Sequence, residues 1–177
     1  EYVVNAVTVE DLDRLFDRIQ YPQNIVYLWS LDEGGKHEPT DNENIRRQYL
    51  NNCGGLLNVV KTSVNKLTNP PSFFVVTSGA QIVNSQTGLD ELLQSAVWGM
   101  CRVITIEHPE LHCKIIDIES SKQAGDLFDE LLTTDGESQV LLREDVRYVP
   151  RLVRKGVSSD SFDDSLLRLK KEGVYII

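Results

Sequence analysis

Trp98-Gly99-Met100-Cys101-Arg102-Val103-Ile104, followed by Glu107-His108-Pro109-Glu110 and then Lys114-Ile115-Ile116-Asp117, decides how this chain is read. An apolar helix runs into a break and straight on into a strand. Proline disfavours the helical conformation of the residue before it, so Pro109 marks the end region of the helix. That helix extends back to Leu89, with Leu89, Leu92, Ala96, Met100 and Val103 as its inward stripe. Upstream, Asn69-Pro70-Pro71 ends an earlier element, Phe73–Thr77 is a buried strand, and Gly79 to Thr87 is a polar connection. Downstream, Cys113–Ile118 is the next strand and Ala124–Leu132 a helix with Leu127, Phe128 and Leu131 facing in. Gln139–Arg143 and Arg147–Leu152 form a strand pair around Glu144-Asp145.

The first half follows the same grammar. Val9–Ile19 is a helix, with Thr8 as its cap, Asp11 as the carboxylate of a capping box, and Leu12, Leu15, Phe16 and Ile19 at helical spacing. Asn24–Asp32 is a nearly continuous apolar run, as expected for a strand covered on both faces. Glu33 to Thr40 is a loop. A long helix from about Asn42 to Leu67 carries the stripe Ile45, Tyr49, Cys53, Leu56, Val60, Val64 and Leu67. Gly54 and Gly55 inside it cost roughly 2 kcal/mol of helix propensity together, so close packing on a neighbour is expected there. Helices alternating with apolar strands imply βαβ units. The expected fold is α/β, a truncated Rossmann-like three-layer sandwich with a mostly parallel sheet.

Composition narrows the function. The 177 residues suffice for one domain with a real core. A net charge of −9 and a pI of about 4.8, with no basic face, exclude a nucleic-acid binder. No apolar run is long enough to span a bilayer, so no membrane role is expected. No signal peptide is visible at Glu1. The three cysteines, Cys53, Cys101 and Cys113, lack CxxC spacing and fit small buried hydrophobes in a reducing cytoplasm. Residues 1–154 form the folded unit and 155–172 a polar linker. Gly173-Val174-Tyr175-Ile176-Ile177 (173–177) reads as a strand cut off in the middle, so a fragment of a longer polypeptide is expected.

Chemistry-bearing patterns are few. A dinucleotide site needs a glycine-rich turn directly after a strand, where helix-start N–H groups meet phosphates. Gly34-Gly35 and Ser78-Gly79 follow strands but lack GxGxxG spacing and read as loop turns. Short-chain reductases use a tyrosine with a lysine four residues on, plus a serine, to protonate a carbonyl oxygen. Tyr2, Tyr21, Tyr27, Tyr49, Tyr148 and Tyr175 all lack that lysine, and Ser78, at a strand end, lacks a partner. His108 and His112 are four apart, but Pro109 breaks the face between them; His37 lies in a loop. No GxSxG elbow occurs. Asp32-Glu33 and Asp163-Asp164 are solvated acids. Arg151, Arg154 and Lys155 form a small basic cluster, a surface strand edge or a contact for a carrier protein. No residue is assigned to catalysis, to cofactor binding or to a metal.

Several segments, in order, resemble the structural subdomain of the ketoreductase domain of modular type I polyketide synthases. They are Tyr2–Asn5 with Glu10-Asp11, Ile25–Leu31, Phe74–Ala80, Trp98-Gly99 with Arg102, Glu107–Glu110, Gln139-Val140 with Leu142-Arg143, and Tyr148–Leu152. The resemblance implies a truncated, pseudo-Rossmann unit that packs on a catalytic subdomain, in cis or in trans. The companion binds NADPH on a glycine-rich loop and reduces a β-ketoacyl group; this chain alone has no cofactor and no activity. Acyl carrier protein, methyltransferase or enoyl reductase domains of the same multienzyme are further implied partners. Two other functions stay open: an independent short-chain-type oxidoreductase with atypical nucleotide binding, and a free-standing interaction module.

Overall fold

A computed structural model describes residues 2–19, 21–31, 42–82, 94–119 and 123–154. Five strands form one sheet in the order β1 (Asn24–Tyr27), β2 (Ser72–Ser78), β3 (Lys114–Ile118), β4 (Gln139–Arg143) and β5 (Val146–Tyr148). The first four are parallel and β5 returns antiparallel to β4. Side chains alternate across a strand, so each strand splits its residues between two faces. Phe73, Val75, Cys113 and Ile115 meet α1 (Val9–Arg18), α3 (Gly55–Lys66) and α4 (Ser95–Glu107) on one face. Val76, Ile116, Ile118, Val140 and Leu142 meet α5 (Ala124–Leu132) on the other. The result is the expected three-layer α/β sandwich, with β3 buried along its whole length.

Each step from β1 to β4 moves the same way across the sheet. The first two connections place their helices on one face and the third places α5 on the opposite face. The third crossover therefore has the opposite hand to the first two. Since about 98% of such connections are right-handed, this sheet contains an exception.

Several local expectations change. The long second helix is α2 (Asn42–Tyr49) and α3 joined through a π turn at Leu50–Gly54. The wider turn shifts the helical phase, so Tyr49 is exposed although it continues the stripe. Of the two glycines, only Gly55 is needed for close packing. A Cβ there would sit 2.8 Å from the Tyr27 hydroxyl and 3.1 Å from Ala6 Cβ, whereas a Cβ on Gly54 would meet nothing. Thr8 precedes α1 but makes no side-chain cap; Asp11 instead accepts the Asn5 N–H at 3.2 Å. In α4 the core face is Val97, Trp98, Cys101 and Ile104, and Val103 is exposed. Met100 packs against the core as expected, but the helix is apolar on nearly all sides, so spacing alone did not single out Val97, Trp98, Cys101 and Ile104. In α5, Leu127 and Leu131 face the core but Phe128 is 61% exposed.

β1 is shorter than its apolar run, because Trp29–Leu31 turns into a 3-10 helix. Nor is it covered on both faces: Val26 and Leu28 are exposed. Asp32-Glu33, Gly34-Gly35, His37, Leu89, Leu92 and all residues after Arg154, including the expected linker and last strand, lie outside the described residues.

Candidate functional site

Ligands of open α/β sheets bind outside the carboxyl ends of the parallel strands. At that end, register sets Thr77 of β2 beside Asp117 of β3. Alternation turns both toward α4, and Arg143, the last residue of β4, lies on the same side as Leu141. Asp117 is fully buried, so its carboxylate needs partners. Oδ1 accepts from the Thr77 hydroxyl and from the Ala80 N–H at 3.0 Å. Oδ2 accepts from the Gln81 N–H at 3.2 Å and from the Arg143 guanidinium. Thr77 Oγ1 in turn accepts the Trp98 indole N–H at 3.0 Å. Arg143 Nη1 donates to the carbonyls of Asp117 and Leu142, each at 2.9 Å, and Nη2 to Gln81 O at 3.0 Å.

This network ties the turn after β2 onto β3 and β4. Gly79 opens that turn at φ +68°, a conformation glycine adopts without cost, and its N–H reaches Ile118 O at 3.0 Å. Each oxygen of the carboxylate thus accepts from two donors. Among the described residues at these strand ends, Trp98, Thr77 and the Asp117–Arg143 pair bond to one another. Ser78 ends β2 as expected, with its N–H on Gln94 Oε1 at 2.9 Å and its hydroxyl 3.5 Å from Glu119 O.

The other singled-out residues are scattered. His108 Nδ1 lies 3.0 Å from Glu110 Oε1, and His112 sits at φ 43° beyond a 3-10 turn. Among the described residues no three His, Cys, Asp or Glu side chains group to hold a metal. Arg151 is paired with Glu137 through contacts of 2.6 and 2.9 Å, and Arg154 is exposed. All three cysteines are free thiols. The neighbouring Cys113 and burial hold the Cys101 thiol well above its ordinary range, and burial raises Cys53, which makes both poor nucleophiles. A shallow cleft of about 460 Å³ lies at the amino ends of the strands, near Ser72, His112 and Ser138, opposite to their carboxyl ends.

A second buried network holds α5. Lys114 of β3 pairs with the Glu130 carboxylate and donates to the last-turn carbonyls Glu130 O at 3.3 Å and Thr133 O at 3.4 Å. Arg147 of β5 grips the same carboxylate at 2.6 and 3.0 Å and reaches Asp135 at 2.7 Å. Burial pushes the Glu130 carboxyl up, but the hydrogen bonds from Arg147 and Lys114 outweigh it, and the group ends below the ordinary 4.5. Glu130 in turn raises Arg147. The sequence carries one signal for both networks. Lys114 and Asp117 bracket Ile115-Ile116 in a strand buried on both faces, and a charge there must find a partner.

A mostly parallel sheet between helix layers, its crossovers built from βαβ units, defines an α/β protein of the Rossmann class. The chain belongs to the family described as polyketide synthase extender module SpnB, Rossmann fold domain, which it matches over residues 3–152. It is 37% identical over 91 residues, or 49% of its length, to a phenolphthiocerol/phthiocerol polyketide synthase protein of Mycobacterium tuberculosis, and covers 6% of that protein. Among solved structures it is similar to a C2-type ketoreductase from a modular polyketide synthase, with a TM-score of 0.64 and 24% identity, covering 89% of this chain and 34% of that one. It is also similar to a short-chain dehydrogenase/reductase from Vibrio parahaemolyticus, with a TM-score of 0.58 and 20% identity, covering 78% of this chain and 74% of that one. The relatives thus include multidomain synthases of which this chain spans a small part.

Proposed function

We propose that this chain is the structural, non-catalytic subdomain supporting the NADPH-dependent ketoreductase of a polyketide synthase module. The observation that carries the reading is the Asp117–Arg143 lock at the carboxyl edge of the sheet. Where a nucleotide-binding sheet leaves room for phosphates, this one has a buried, fully paired carboxylate under Trp98. The companion catalytic subdomain, in cis or in trans, binds NADPH and reduces the β-ketoacyl group; this chain supplies surface and stability. Carrier-protein, methyltransferase and enoyl reductase domains are the further partners of such a module. A reducing cytoplasm suits its free cysteines.

Calorimetric titration with NADPH tests the reading. The expected result is no saturable heat in the micromolar range; saturable binding overturns the proposal in favour of an independent oxidoreductase. In a second arm, the chain is added to a folded catalytic half. Its melting temperature rises through linkage, and reduction of a β-ketoacyl thioester quickens. If neither changes, the supporting role fails.

A further inference from the structure

Among the described residues, the sheet face that α5 covers carries no second α-helix. Neighbouring strands lie about 4.8 Å apart and packed helices about 10 Å apart, so one helix covers two strands. α5 lies toward the β5 side, where Lys114 and Arg147 hold Glu130. The adjoining seat, over β2, is open. Phe74 of β2 is only half-buried there, and Val26 on β1 forms the exposed outer rim. α5 turns apolar side chains to the same side. Phe128 and Leu132 lie two positions either side of Glu130, about 200° round a helix of 3.6 residues per turn, so they point away from β5. They are 61% and 65% exposed. The lower end of this groove is the cleft of about 460 Å³, whose lining includes Ser72, Phe74, Thr133 and Thr134.

The chain itself supplies an occupant. β5 runs back toward the amino ends of the parallel strands, and Arg151 just after it is paired with Glu137, on the lip of that cleft. Residues 155–177 lie outside the described residues, and their sequence carries both end signals of an amphipathic helix. Ser161 with Asp164 has the spacing of a capping box. Phe162, Leu166 and Leu169 follow at helical spacing, and Arg168, Lys170 and Lys171 precede Gly173. We propose that residues 161–172 seat as a helix in the groove between α5 and β2, with Phe162, Leu166 and Leu169 against Phe74, Phe128 and Leu132. The reach is sufficient. Residues 155–160 span up to about 20 Å when extended, against about 15 Å from β5 to β2 at ordinary strand spacing. The inference does not depend on the supporting role proposed above; it concerns how the chain covers its own sheet.

The test follows hydrogen exchange by mass spectrometry in the full chain of 177 residues, with a synthetic peptide of residues 155–177 as the free reference. Amides of 162–172 are expected to exchange roughly tenfold or more slowly in the chain than in the peptide. Leu166→Asp with Leu169→Asp removes that protection and also speeds exchange at the end of α5, which a helix formed away from the groove would not do. Leu132→Glu and Phe128→Glu give the same loss from the groove side; both side chains are exposed, so the folding of the sheet is not at stake. Val103→Glu, on α4 and the opposite face, leaves the protection unchanged. Exchange of the segment at the peptide's rate in the parent chain overturns the proposal. Protection that survives both groove variants places the segment elsewhere and overturns it too. Protection lost on dilution shows a second copy supplying the segment, and equally overturns docking within one chain. None of these outcomes bears on NADPH binding or on the effect upon a catalytic half.

Discussion

Asp117 is a charge placed where only a complete set of donors makes it tolerable. Removing it with Asp117→Ala leaves the Arg143 guanidinium without its counter-charge and frees the Ala80 and Gln81 amides. Breaking one partner of such a pair typically costs about 3–5 kcal/mol, so a clear fall in melting temperature is expected from calorimetry. Arg143→Met together with Asp117→Leu should lose much less, because no orphaned charge remains. A double variant as unstable as Asp117→Ala alone would mean that the hydrogen bonds, not the pairing, set the cost. At this scale the sequence was partly legible. A large aromatic beside Gly99 on an apolar helix is naturally a core residue, and Trp98 is 2% exposed. Its indole N–H partner, Thr77, depends on strand register and so is invisible in one dimension.

Among the elements, α5 is the one held by charge. Glu130 is held below 4.5 when folded, so folding favours its ionised form. Its contribution is fully present above the unfolded value, near 4.5, and is lost as pH falls through the lower folded value. Comparing the parent with Glu130→Gln by chemical denaturation from pH 7 to pH 2 checks the sign. The parent's advantage at neutral pH should shrink steadily below about pH 4.5. An advantage that grows on acidification would exclude the clamp. The elements themselves were readable from apolar periodicity, and the Glu144-Asp145 hairpin sits where expected, both residues at positive φ. What escaped were the phases. A π turn and an all-round apolar helix both break the link between spacing and facing, which is why Tyr49 and Val103 point outward.

For the whole molecule, coverage is uneven: among the described residues α1, α3 and α4 pack on one face of the sheet and α5 on the other. β1 is paired only with β2 among the described strands, and Val26 and Leu28 beside it are exposed. Such an edge is a template for unwanted strand pairing. Sedimentation velocity at rising concentration should show self-association of the isolated chain, reduced by Val26→Lys. As an exposed substitution, Val26→Lys should shift stability by no more than about 0.5 kcal/mol. An unchanged association profile would place the contact elsewhere. The fold class was evident from the alternation of elements; the uneven coverage was not, because a strand's apolar run does not say which neighbour covers it.

The reversed third crossover gives the Lys114–Glu130–Arg147 cluster a second meaning. A chain that wound uniformly would lay α5 against the sheet beside α4, and this decoy topology keeps the same strand order. It differs in where the charges fall. Lys114 and Arg147 project from the face that α5 actually occupies. In the decoy, Lys114 would be left there without its carboxylate, and Glu130 would be moved to the face that already carries the Asp117 carboxylate. The ion cluster thus holds α5 to one of two windings, and chirality here is written in charge.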